Sequence, residues 1–164
     1  MTDTAGCEHS VTEPHKGREK RMADYYGKGR TNIFKVKDID ALKTALAGAE
    51  FTVEARPDRG ADAVVICVSD NDTAGSWGQL VYTTDDDDAE PTELFVPDMI
   101  ADHLQDGQVA VFVHAGSEKL RYLSAYSIAV HANGQQVRLD LDDIYQRAAE
   151  EFGVDVNEID WAMY

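Results

Sequence analysis

The chain has 164 residues, 43% of them apolar, and carries 31 acidic against 15 basic side chains for a net charge of −16 at neutral pH. That length and apolar content exclude a disordered chain and suit one domain with its own core. The charge excludes nucleic acid and anionic membrane as direct ligands, since both are polyanions that reward clustered Lys and Arg.

No apolar run approaches the roughly 18 residues of a membrane span. Met1 is followed by polar Thr2-Asp3-Thr4 in place of a basic and apolar leader, so the reading is a cytoplasmic protein. Cys7 stands in a polar segment and Cys67 inside the apolar run 63–68, a pair that makes no disulfide framework. Residues 1–30 mix Gly, His, Thr and charges of both signs without an apolar period and read as a mobile tail, with residues 31–164 as a single acidic domain. Met22 opens a segment that could itself be a start of the chain.

Ile33, Phe34 and Val36 read as a first strand, and Asp38 as the N-cap of a short helix with Ile39, Leu42, Ala45 and Leu46 on one stripe, ended at Gly48. Residues 51–55 form a second strand, Pro57 to Gly60 a turn, and the continuous apolar run 63–68 a central strand. The loop that follows places Asp70, Asp72 and Gly75 as an EF-hand would place its first, third and sixth residues. Its twelfth position is Val81, which cannot supply the bidentate carboxylate, so no calcium site is expected. Residues 77–83 alternate as a fourth strand, with Trp77 as an anchor of the core or of an interface.

Residues 60–118 contain no Lys or Arg and hold thirteen acids. Within them, the run Asp85, Asp86, Asp87 and Asp88 reads as a solvated loop. Pro97 opens the next helix, whose inward stripe is Met99, Ile100, His103 and Leu104 and which ends at Gly107; on this reading Asp98, Asp102 and Asp106 are spaced along one helix.

Val109, Val111 and Val113 alternate as a strand, and residues 120–132 form a long strand ending at the turn dipeptide Asn133-Gly134. A two-residue turn there pairs Val130 with Val137, Ile128 with Leu139 and Tyr126 with Leu141, an apolar face opposite the polar pairs His131–Gln136, Ala129–Arg138 and Ser127–Asp140. Asp140 is then expected to cap a last helix, with Asp143 completing a capping box and Leu141, Ile144, Ala148 and Phe152 as its inward stripe; Val156, Ile159 and Trp161 dock the end of the chain on the body. The order β-α-β-β-β-α-β-β-β-α describes an α+β domain with a mostly antiparallel sheet of about six strands and three helices.

The segment from Glu118 through Asn133-Gly134 to Tyr145 resembles the C-terminal portion of small, mostly uncharacterised proteins carried by phages and plasmids. The resemblance covers about a third of the chain, carries no catalytic residue across, and implies an accessory protein of a mobile element.

No catalytic residue, cofactor or metal is assigned. Cys7, His9 and His15 match no zinc spacing, and His114 and His131, on neighbouring strands, read as half-exposed polar residues. The apolar neighbours of Cys67 predict a buried, inert thiol. With so many acids a chance carboxylate pair is nearly certain, so none is singled out for acid–base work. Tyr25, Tyr26, Tyr122 and Tyr126, with Lys119 and Arg121 nearby, supply a possible contact patch.

The expectation is a non-enzymatic inhibitor whose acidic surface imitates DNA on a basic, nucleic-acid-binding host protein, of the anti-restriction or anti-CRISPR kind. Its carriers would be Asp70, Asp72, Asp85, Asp86, Asp87, Asp88, Glu90, Glu93, Asp98, Asp102 and Asp106. The alternative is a salt-adapted interaction module: twenty Asp against eleven Glu and only seven Lys are what such a surface shows, with contacts made through Trp77, Trp161 or the tyrosines. A small hydrolase or metal enzyme is the third reading.

Overall fold

The computed structural model describes residues 25–68, 75–82, 90–118 and 122–162. Nine strands and three α-helices are found there: β1 (Tyr25–Thr31), β2 (Phe34–Lys35), α1 (Ile39–Ala45), β3 (Phe51–Ala55), β4 (Ala63–Val68), β5 (Gly78–Val81), β6 (Thr92–Phe95), α2 (Val96–Met99), β7 (Val109–Glu118), β8 (Tyr122–His131), β9 (Gln136–Asp140) and α3 (Asp143–Phe152). The class is α+β, as the element order predicts.

The apolar run of β4 is the sheet's interior strand: β3 pairs along one side of it, β1 and β2 follow one another along the other, and the sheet continues through β7 and β8 to β9. All these pairings are antiparallel. β5 and β6 form a separate hairpin. The core gathers on one face of the sheet, where Phe34, Val64, Ile66, Phe112, Ile128 and Val130 meet Leu42 and Leu46 from α1 and Val96, Ile100 and Leu104 from the α2 region. Trp77 is the largest fully buried side chain: it stacks on Phe51 at 5.9 Å, meets Phe112 edge-on at 4.9 Å, and donates its indole N–H to the Val113 carbonyl at 3.3 Å. It is a core anchor, which removes it as a contact residue of an interface. Asp38 caps α1 as expected, its carboxylate accepting from the backbone N–H groups of Asp40 and Ala41 at 2.8 and 3.0 Å.

The structure corrects several expectations. Residues 25–30, read as part of the tail, belong to β1, which pairs with β7 from Tyr25↔Glu118 to Thr31↔Phe112. Its inward positions are Tyr25, Gly27, Gly29 and Thr31. Two glycines in that phase erase the apolar alternation, and Gly29 is required because a Cβ there would lie 2.5 Å from Val68 Cγ2 and 2.7 Å from the Gly75 carbonyl oxygen. In β7 the inward set is Ala110, Phe112 and His114, while Val109 and Val113 of the valine series face solvent. β6 falls where the sequence predicts no element; it forms because β5 supplies its partner, with Leu80 opposite Glu93.

The β8–β9 register is one residue away from the expected one: Val130 pairs with Gln136, Ile128 with Arg138 and Tyr126 with Asp140. His131 donates its N–H to Gln135 at 2.9 Å, which leaves a three-residue loop, 132–134, with Gly134 at φ 86°. A three-residue loop closed by a glycine at positive φ thus wins over the two-residue turn for the same Asn-Gly dipeptide. The slip turns every β9 side chain to the opposite face. Val137 and Leu139 therefore point away from the core and are exposed, and polar groups take the core-side rim: Gln136 Nε2 donates to the Pro97 carbonyl at 3.2 Å, and the Arg138 guanidinium lies 4.5 Å above the Tyr126 ring.

At α3 only half of the expected capping box exists. Asp143 accepts from the Asp140 N–H at 2.7 Å, but the Asp140 carboxylate is taken by Arg138 at 2.7 and 2.8 Å and caps nothing. The stripe Leu141, Ile144, Phe152 does not face the core; the three are 51%, 60% and 74% exposed. The end of the chain folds on α3, with Trp161 4.4 Å from Tyr145 and the Tyr145 hydroxyl accepting from the Ala162 N–H at 2.7 Å.

Candidate functional site

Strand β6 runs directly into α2, and that junction assembles the acidic site. The turn is fixed by the Val96 N–H donating to the Trp77 carbonyl at 3.1 Å and by Pro97, whose ring suits a first helical turn. Leu94, Phe95 and Met99 pack against the core. Glu93, Asp98 and Asp102 then stand around the same three residues, and the six together line one open depression of about 670 Å³. Among the described residues, no basic side chain lines it. Lys37 reaches this region but donates its ammonium to the Asp102 backbone carbonyl at 2.8 Å, and Asp98 accepts a hydrogen bond from Gln136 Nε2 at 3.3 Å.

Asp98, Asp102 and Asp106 do not share one helix. α2 is four residues long and tightens into a single 3-10 turn, Ile100–Asp102, because Leu104 must reach Val36, with which it forms an isolated bridge. Asp106 falls in the following turn with Gly107 at φ 73°, exposed and outside the depression, and Glu90 is exposed just before β6. Asp70, Asp72, Asp85, Asp86, Asp87 and Asp88 lie outside the described residues. Of the five expected carriers among the described residues, three converge.

A second polar cluster was not anticipated. His114 is 4% exposed, where a half-exposed strand residue was expected, and it pairs with Gly29 and Tyr126, away from His131, which sits opposite Val109. Its ring stacks on Tyr126 at 5.0 Å and lies parallel to Tyr25 at 6.1 Å. Nδ1 is 2.8 Å from the Gly75 carbonyl oxygen; a carbonyl only accepts, so Nδ1 carries a proton. In the neutral ring Nε2 then accepts from the Tyr25 hydroxyl at 2.8 Å. The imidazole thus ties β1 and β8 to Gly75, the sixth position of the EF-hand-like loop. The inward phase of β7 is the sequence signal that could have found it. Tyr25 and Tyr126 are in this way structural, whereas Tyr26 and Tyr122 remain exposed. Burial pushes the Tyr126 phenol up from its usual range, opposed by a backbone hydrogen bond at Trp77 and by Arg138.

Cys67 is half-buried on β4 and not fully enclosed; burial, then the Glu54 carboxylate, push its thiol up while Arg30 opposes them, which keeps it protonated and unreactive. Val81, the position a calcium loop would need as a carboxylate, is buried in β5. Cys7, His9 and His15 lie outside the described residues, and among those described no three His, Cys, Asp or Glu are grouped to hold a metal ion. Also among the described residues, no helix is long and apolar enough to cross a membrane.

The chain matches no family model, no curated protein and no solved structure.

Proposed function

We propose that the protein is a non-enzymatic, acidic binding protein that inhibits a basic partner, its carboxylates standing in for DNA phosphates on a nucleic-acid-binding protein of host defence. The observation that supports this most is the depression in which Glu93, Asp98 and Asp102 surround Leu94, Phe95 and Met99 with no base among the described lining residues. Duplex DNA presents about one charge per 1.7 Å of axis, and a folded row of carboxylates offers a basic channel the same attraction without strand flexibility. The apolar floor accepts the methylene stems of Lys and Arg while the carboxylates meet their heads. With a net charge of −16, the protein also steers a cationic partner from a distance. Its place on this reading is the host cytoplasm, and the mobile-element origin implied by the C-terminal resemblance fits the same role.

The test is capture from a plausible host by the immobilised protein, run in parallel with a Glu93→Gln/Asp98→Asn/Asp102→Asn variant. Partners that carry a nucleic-acid site and are held by the native protein but not by the variant support the proposal. Partners without such a site, or equal capture by both proteins, sink it.

A second reading, adaptation to salt, is favoured by carboxylates that stay exposed away from the depression, Glu90 and Asp106 among them. Circular dichroism in dilute and multimolar salt separates the two. Structure that forms only in multimolar salt assigns the acids to hydration; full structure in dilute buffer leaves them free for binding.

A further inference from the structure

Helix α3 carries an apolar stripe that none of the described residues covers. Ile144, Ala148 and Phe152 recur at intervals of four, so they form one ridge along the helix. Ile144 and Phe152 are 60% and 74% exposed. The inward side of the helix is used differently: Ala149 is buried and Tyr145 packs on Trp161. The ridge borders an open groove of about 650 Å³, with Arg147, Glu150 and Glu151 completing its lining. A large aromatic at this exposure costs solubility and marks a contact surface when it belongs to a continuous apolar strip.

Charge selects the occupant. Residues 140–160 hold eight carboxylates and one base, Arg147. A second copy would bring the same excess of negative charge against itself, and an anionic lipid surface would repel it. A basic partner with its own apolar ridge satisfies both the stripe and the field. We propose that α3 is a docking helix for a cationic amphipathic helix of a partner protein, seated lengthwise on Ile144, Ala148 and Phe152 with its Lys and Arg turned to the surrounding carboxylates. This surface contains none of the residues of the Glu93–Asp98–Asp102 depression, so the two proposals stand or fall separately.

The probe is a synthetic amphipathic helix of about 18 residues built from Leu and Lys, compared with a peptide of the same composition whose Leu positions are scrambled around the helix. The 164-residue chain is titrated with each by calorimetry, and Trp161 emission is followed in parallel, since Trp161 is 54% exposed beside α3 while Trp77 is fully buried. The native protein is expected to prefer the amphipathic peptide by about tenfold, and Ile144→Ser/Phe152→Ser to lose that preference while still binding the scrambled peptide. Both positions are exposed, and unchanged circular dichroism verifies that the variant is folded. The Glu93→Gln/Asp98→Asn/Asp102→Asn variant keeps the preference even if it captures no host partner. Equal affinity for the two peptides, or a preference that survives loss of Ile144 and Phe152, overturns the proposal. So does a native dimer in sedimentation that the Ile144→Ser/Phe152→Ser change dissociates, because the occupant is then a second copy.

Discussion

Replacing His114 by Leu tests how the sheet holds Gly75. The substitution keeps an apolar side chain of similar breadth in the inward phase of β7, but it removes both ring nitrogens. The Gly75 carbonyl loses the hydrogen bond it accepts at 2.8 Å, and the Tyr25 hydroxyl loses its acceptor at 2.8 Å. The carbonyl is the costlier loss. Gly29 packs directly beneath it, with a hypothetical Cβ only 2.7 Å away, so little room remains for a replacing water. An unsatisfied buried acceptor costs about 1–3 kcal/mol and an ordinary hydrogen bond contributes about 0.5–1.5 kcal/mol. The ring contact with Tyr126 adds a further 0.5–1.5 kcal/mol or so, part of which Leu regains by burial. A net loss of about 3 kcal/mol is expected. Urea unfolding followed by Trp77 emission, at a slope of about 2 kcal/mol/M, would show the midpoint falling by about 1.5 M. Tyr25→Phe alone should cost about 1 kcal/mol, and almost nothing more when His114 is already Leu. A His114→Leu loss below about 1 kcal/mol, or additive effects of the two changes, would refute the account of this cluster.

Three further outcomes follow from the geometry. Gly75→Ala should destabilise by more than about 3 kcal/mol, because φ is 74° and a Cβ would lie 2.5 Å from the Gly27 and Lys28 backbone, whereas Gly107→Ala, at φ 73° with nothing within 4 Å, should cost only about 1 kcal/mol in the same unfolding assay. The Arg138 hydrogen bonds hold the Asp140 carboxyl below its usual range, so its contribution is complete above the ordinary carboxylate pKa and lost as pH falls through the lowered value. Both side chains are about half exposed, and screening keeps that contribution under about 1 kcal/mol; Asp140→Asn should flatten the acid limb of stability against pH by no more than that. Cys67, with its thiol pushed up by burial, should react with iodoacetamide far more slowly at neutral pH in the folded protein than in urea, and equal rates would contradict its placement in β4.

The parts of the fold legible in the sequence are those where local chemistry and tertiary context agree. The run from Ala63 to Val68 could only be an interior strand, Asp38 before Ile39 could only cap a helix, and both are found so. The misreadings share one cause, which is that the deciding partner lies far away in sequence. Gly27 and Gly29 carry no apolar signal, yet β1 exists because β7 pairs with it along its whole length. The turn after Ala132 permits two registers, and the interactions of Gln136 with Pro97 and of Arg138 with Tyr126 accompany the one adopted. At the site, the helical spacing of Asp98, Asp102 and Asp106 looked regular, but the bridge from Leu104 to Val36 ends the helix early. Glu93 joined the group through a hairpin that the sequence did not announce, since its partner strand is short and Leu80 opposite it is exposed. The stripe on α3 was legible as a stripe, while the side it faces was not.

The proposed occupation of a nucleic-acid site by the acidic depression is open to direct test by competition. Its most direct measurement is the affinity of the purified complex with a captured partner, with and without saturating duplex DNA. The account predicts that DNA displaces the protein competitively, and that the Glu93→Gln/Asp98→Asn/Asp102→Asn variant binds the same partner at least about tenfold more weakly. A ternary complex with DNA at undiminished affinity would contradict it.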